Sequence, residues 1–136
     1  MDASVAFQHI NWLAVLVAAA STFVIGGLWY GPLFGKIWMR LSGHQPGAPG
    51  NNSTALTFGL TPVLNLIIAT SLALFIGGGN WQFGLFAGLA AGLTFVAMAL
   101  GVIYLFESRP LGLWLVNAGY QVVVFTVMGT IIGAWH

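Results

Sequence analysis

Cysteine is absent and charge is nearly so: the 136-residue chain holds three Lys or Arg, two Asp or Glu and three His, for a formal net charge of +1. Without a thiol there is no disulfide, no thiolate nucleophile and no thiolate metal ligand, and redox compartment is not encoded. A net charge of +1 gives no basic patch able to displace counterions from phosphates, which excludes nucleic acid as a partner. Asp2 and Glu107 are expected on opposite sides, so they do not form a carboxylate pair, and no Ser-His-Asp or Cys-His set exists. His9, His44 and His136 lie near the two ends and in a loop, too dispersed to converge on a metal. This inventory predicts a protein that is not an enzyme, with no catalytic residue, no metal and no cofactor.

What is there is apolar: 59% of the residues are hydrophobic and 4% are charged, where a soluble domain carries about 25% charged residues. No charged side chain falls between Asp2 and Lys36 or between Arg40 and Glu107. Apolar runs of that length exceed the roughly 20 residues that cross a bilayer core. Four spans are predicted, over about residues 11–30, 55–77, 83–106 and 111–135. Period-two alternation is missing, so the spans are helices rather than barrel strands. The small-residue stretch Ala18-Ala19-Ala20 imitates a signal-peptide cleavage region, but no basic residue precedes it, and a retained first span is expected. The fold class is an all-α membrane protein, a bundle of four transmembrane helices forming a single domain.

The connections fit that division. The stretch from Ser42 to Thr54, rich in Gly, Pro and Asn, is too broken for a helix, with Ser53 or Thr54 placed to cap the second span. Gly77-Gly78-Gly79-Asn80 and Glu107-Ser108-Arg109-Pro110 are tight turns, so the last three spans follow as antiparallel hairpins. Lys36, Arg40 and Arg109 all fall in loops one and three, which share a side; basic loops stay on the cytoplasmic side, so both termini are predicted outside. The alternative is a dual or inverted topology. Trp12, Trp81 and Trp135 near one set of span ends, and Trp29, Tyr30, Trp38 and Trp114 near the other, read as interface anchors together with the three basic residues.

Pro32 is expected to end or kink the first span, after which Lys36 and Arg40, four apart beside Ile37, Trp38 and Leu41, suit a short interfacial helix. Pro62 is expected to bend the second span. Glycines recur every fourth residue at Gly27, Gly31 and Gly35, at Gly84, Gly88 and Gly92, and at Gly129 and Gly133. Such grooves let helix backbones approach closely, within one bundle or between subunits. At about 1.5 Å per residue, Thr22, Asn65, Thr94 and Gln121 lie roughly 15 Å deep, near the bilayer midplane, with Tyr120 beside them and Asn117 on the face of Gln121. Two readings stay open for Asn65, Thr94, Asn117, Tyr120 and Gln121: an interhelical hydrogen-bond network, or a polar path. No span holds an internal Asp, Glu, Lys, Arg or His, which argues against proton-coupled transport.

Asn11-Trp12, the run from Gly27 through Trp29, Tyr30, Pro32 and Lys36 to Trp38, Asn117-Ala118-Gly119-Tyr120, and Gly129 through Gly133 to Trp135 together resemble the bacterial domain-of-unknown-function family 1761, over nearly the whole chain. The resemblance implies a small four-span protein of the bacterial cytoplasmic membrane and brings no activity, substrate or catalytic residue with it. Gly27 and Tyr30 share their spacing with Gly101 and Tyr104, each pair closing an inward-going span, as an internal duplication would leave them. The expected function is a non-enzymatic membrane component, either a homo-oligomer or a subunit of a larger complex, with membrane lipids and another membrane protein or itself as partners. The alternative is a small channel or facilitator with a polar path between spans two and four.

Overall fold

The computed structural model describes residues 3–43 and 54–135. His44, Ser53, Asp2 and His136, and with them the expected broken loop and helix cap, lie outside the described residues. Among the described residues every element is helical: α1 (Ala3–Gln8), α2 (Trp12–Leu28), α3 (Gly35–Ser42), α4 (Thr54–Ile76), α5 (Trp81–Ala90), α6 (Ala97–Phe106) and α7 (Leu111–Ala134). Two π-helical turns complete them, Trp29–Leu33 after α2 and Ala91–Val96 between α5 and α6. Four helical stretches are long and apolar enough to cross a membrane: Trp12–Leu33, Ala55–Ile76, Trp81–Phe106 and Leu111–Ala134. This is a four-span membrane protein, with α3 as the short helix after span one.

Helix starts are set by asparagine. The Asn11 side chain accepts from the N–H groups of Leu13 and Ala14 at 3.1 and 3.3 Å, and Asn80 accepts from that of Phe83 at 3.0 Å, pairing donors that a helix N-terminus leaves open. Asn11 also donates to the Trp135 carbonyl at 3.2 Å, which ties the beginning of span one to the end of span four. The Gly133 backbone lies against the Asn80 carbonyl, so the turn between spans two and three joins the same end. The end of α3 and the turn between spans three and four therefore share the other.

Span one runs past its expected limit at Tyr30. Pro32 has no N–H to give an α-helical ladder, and the chain widens to a π turn in which the Phe34 N–H reaches the Trp29 carbonyl at 2.8 Å. Gly35 is buried where an added Cβ would meet the Tyr30 carbonyl oxygen at 2.5 Å, so the elbow into α3 closes on glycine. Gly43 then stops α3 with φ +79°, the left-handed position that glycine occupies without strain. Pro62, by contrast, lies inside an unbroken α4.

The largest buried apolar cluster lies to one side, with Ala97, Leu113, Val116 and Ala118 buried in the other half. Val15, Ala18, Leu72, Ile76, Met128 and Ile132 are buried together in the half of the bundle that holds the chain ends and the turn between spans two and three. In the opposite half, the first turns of α4 (Ala55–Leu60) are exposed, although Phe58 lies on the helical face that later buries Leu72 and Ile76. The helices are held there by other means.

Candidate functional site

The half with the smaller apolar core contains two sets of hydrogen bonds, joined by a contact between tyrosine rings, that together link all four spans. At its deep end the Asn65 side-chain amide donates to the Thr22 hydroxyl at 2.9 Å, and that hydroxyl donates to the Ala19 carbonyl at 2.7 Å. Thr22 is also the anchor for span four, because the Tyr120 hydroxyl donates to its carbonyl at 3.0 Å. The Tyr120 ring lies 5.1 Å from that of Tyr30. Tyr30 donates to the Asn117 side-chain carbonyl at 2.6 Å, while the Asn117 amide donates to the Tyr104 hydroxyl at 2.8 Å. At the loop-three end the Arg109 guanidinium stands over the Tyr104 ring, 5.3 Å from its centre, and its Nε donates to Glu107 at 2.7 Å.

Local structure explains each placement. Tyr30 sits in the π turn forced by Pro32, which carries its ring to α7 rather than to lipid. Tyr104 is three residues before Glu107, where α6 ends. Asn117 is six residues into α7, about 9 Å from the start of that helix, and Tyr120 about 14 Å from it. The cluster therefore descends from the interface at Arg109 to about the midplane at Thr22 and Asn65. Gly26 makes room for the Tyr120 hydroxyl, which would lie 3.2 Å from an added Cβ.

Two tryptophans join the same half of the bundle. The Trp29 indole N–H donates to the Val116 carbonyl at 2.9 Å, with its ring over Gly119. The Trp114 indole N–H donates to the Ala97 carbonyl at 2.8 Å, with its ring against Gly101. Each is an indole laid on a glycine of the neighbouring helix and bonded to that helix's backbone. The Trp38 ring meets Tyr30 edge-on at 5.7 Å. Trp12, Trp81 and Trp135 are exposed at the other end, and Lys36 and Arg40 are exposed on α3.

Of the polar residues singled out in the sequence, Asn65, Asn117 and Tyr120 enter this cluster through Thr22, Tyr30 and Tyr104 rather than by bonding one another. Gln121 makes no hydrogen bond to a described residue with its side chain, which is half-buried. Thr94 belongs elsewhere: its hydroxyl donates to the Ala90 carbonyl at 2.5 Å, on the wall of an apolar cleft of about 540 Å³ between α4 and the α5–α6 span. Tyr104 is named in the sequence only for its spacing, and Tyr30 as an anchor and for the same spacing. Their equal spacing from Gly101 and Gly27 was the available signal, for the two hydroxyls grip the same asparagine from opposite sides.

The glycines fall into two sets. A Cβ on Gly84 would run into the Gly129 carbonyl, one on Gly88 into that of Phe125, and one on Gly129 into that of Gly84. Gly92 lies 3.0 Å, by the same measure, from the Phe125 Cβ. These residues line the contact of α5 with α7, the most extensive between helices in the bundle. A Cβ on Gly27 or Gly31 would meet nothing within 4 Å.

Chemically, the cluster is made of neutral hydrogen-bonding groups within the spans, with the Arg109–Glu107 ion pair at its loop-three end. Among the described residues no group of three or more His, Cys, Asp or Glu lies close enough to hold a metal ion. No curated protein and no solved structure is significantly similar to the chain. The model of one family, described as "Protein of unknown function (DUF1761)", matches residues 13–133. With all but the first and last residue of the four spans inside that match, the chain belongs to the DUF1761 family.

Proposed function

We propose that the protein is a non-enzymatic component of a membrane assembly, acting as a homo-oligomer or as a subunit of a larger complex. The observation that carries this reading is the division of the glycines. Those of α5 and α7 are occupied in packing within the chain, whereas Gly27 and Gly31 are exposed and an added Cβ on either would meet no described residue within 4 Å. Bilayers provide no hydrophobic drive between helices, so a groove of small residues is where another helix can approach closely. The polar cluster supports the same reading, since its hydroxyls and amides link helices. The site for the partner is then the face of span one, and the cytoplasmic membrane of a bacterium is the setting, with loops one and three inside and both termini outside.

The test is the mass of the full chain in lipid nanodiscs or mild detergent, with Gly27→Leu and Gly31→Leu beside the wild type. A wild-type oligomer or co-purified complex that both variants reduce to the single chain supports the assembly. A wild type that stays a single, unaccompanied chain across concentrations refutes it.

A channel or facilitator is the second reading, favoured by one observation: the polar cluster reaches the midplane, where the Gln121 side chain has no hydrogen-bond partner among the described residues. Flux of small neutral solutes into proteoliposomes that falls with Asn65→Leu would support it.

A further inference from the structure

We propose that the groove between α6 and α7 beside loop three binds one anionic phospholipid from the leaflet facing loops one and three, with Arg109 on its phosphate. The groove holds about 350 Å³. Its walls are Met98, Val102 and Leu105 from α6 and Leu111 and Trp114 from α7, side chains suited to an acyl chain. The one polar group of Trp114 is already committed to the Ala97 carbonyl. Apolar walls alone would take any lipid chain; the selectivity lies at the mouth, where Tyr104 and Arg109 complete the lining.

Arg109 is prepared for a second anion. Its Nε is bonded to Glu107 and its planar head is held over the Tyr104 ring, which fixes the direction of the fork. A guanidinium carries five N–H donors; the terminal nitrogens of Arg109 make no hydrogen bond to a described residue, and its side chain is 50% exposed. A phosphate oxygen pair fits such a fork in two parallel bonds. Tyr104 adds a donor, because its oxygen accepts from Asn117 while its own proton has no acceptor among the described residues. The position suits a headgroup, since Arg109 closes the turn at the end of α6 and the groove extends from it toward Met98 along the span. Glu107, bonded to the same guanidinium, carries charge of the phosphate's sign, so it weakens the site while it orients the arginine.

Native mass spectrometry of the full chain, titrated with phosphatidylglycerol or with phosphatidylcholine of the same chain length, tests the site. Phosphatidylglycerol is expected to retain one copy at concentrations where phosphatidylcholine does not. Arg109→Gln is expected to weaken that copy about fivefold, the weight of one basic residue at an anionic surface. Glu107→Gln is expected to tighten it, an outcome that a purely structural ion pair does not produce. Val102→Trp, placed on the exposed face of α6, is expected to remove the copy by filling the groove while Arg109 remains. Lys36→Gln and Arg40→Gln are expected to leave it in place. Equal loss in those two variants would assign the effect to general surface charge and overturn the site. So would equal retention of phosphatidylcholine, or displacement by glycerol phosphate as effective as by the whole lipid.

Discussion

Replacing Gly84 by alanine adds one methyl group at the point where the bundle has least room for it. That carbon would overlap the Gly129 carbonyl oxygen and stand 2.9 Å from its carbonyl carbon and 3.1 Å from the Gly133 Cα. Every one of those atoms is backbone, so no side chain can rotate away. Carbon atoms rest at about 3.5–4.0 Å and the overlapped oxygen must retreat further than either carbon, so α5 and α7 must part by roughly 1 Å, a gap that forfeits about half of each dispersion contact along the seam. The loss extends to Gly88, which faces the Phe125 backbone, and to Gly133, which faces Asn80. A cost of about 2–3 kcal/mol follows, at the upper end of the range for overpacked cores. The assay is unfolding in mixed micelles by titration with sodium dodecyl sulfate, followed by tryptophan fluorescence. Gly27→Ala is the control, because its methyl meets nothing within 4 Å and alanine favours a helix over glycine by about 0.5–1 kcal/mol. The wild-type midpoint should fall for Gly84→Ala and hold or rise for Gly27→Ala. An unchanged midpoint for Gly84→Ala, or equal falls in both, would refute the seam as the element that holds spans three and four together.

Asn117→Leu removes the partner of both Tyr30 and Tyr104 and should cost about 1–3 kcal/mol in the same titration, at roughly 0.6 to 1.7 for each interhelical bond. Adding Tyr30→Phe and Tyr104→Phe to it should recover part of that loss, since unpaired hydroxyls cost more than absent ones; no recovery would mean that the bonds do not matter. Trp29→Phe keeps a ring over Gly119 but loses the bond to the Val116 carbonyl, so a fall of about 1 kcal/mol is expected, and none would make the indole a depth anchor alone. Cysteine reporters at Gly78→Cys and Ser108→Cys, placed in successive turns, should be labelled by a membrane-impermeant maleimide from opposite sides; labelling of both from one side would contradict four alternating spans.

The four spans, the short helix after the first and the side shared by the three basic residues were legible because they follow from charge and length. Hydrocarbon admits few charges and needs about 20 residues of helix, and both conditions can be counted along the chain. The π turns were not legible. Ala91–Val96 contains no proline, and a single extra residue in a helical turn leaves no trace in apolar composition. The polar cluster was half legible for a related reason. Depth can be counted, which brought Thr22, Asn65, Tyr120 and Gln121 to one level. Azimuth depends on how the helices pack, so the link from Asn65 to Thr22 on span one, in place of one to span four, came only with the fold. Tyr30 and Trp29 looked like interface residues by position, and the π turn at Pro32 redirected both toward α7.

The bundle divides its cohesion between its two halves, and that division bears on transport. From Thr22 toward the chain termini, the inward positions of the helices are Ala19, Ala18 and Val15 on α2, Ala69, Leu72 and Ile76 on α4, and Met128 and Ile132 on α7, all buried. The hydroxyls of Thr70, Thr126 and Thr130 in that half donate to carbonyls of their own helices and offer a solute no new donor. A polar solute leaving Asn65 in that direction would lose its partners over about half the bilayer, and each unpaired polar group in hydrocarbon costs several kcal/mol. Rotation of one side chain cannot open such a barrier; whole helices would have to separate, against the glycine seam. In the opposite half α4 leaves the core, and the links from Asn65 to Thr22 and from Asn117 to both tyrosines hold the spans in register where apolar packing is thin. The network thus suits a fixed polar knot better than a conduit.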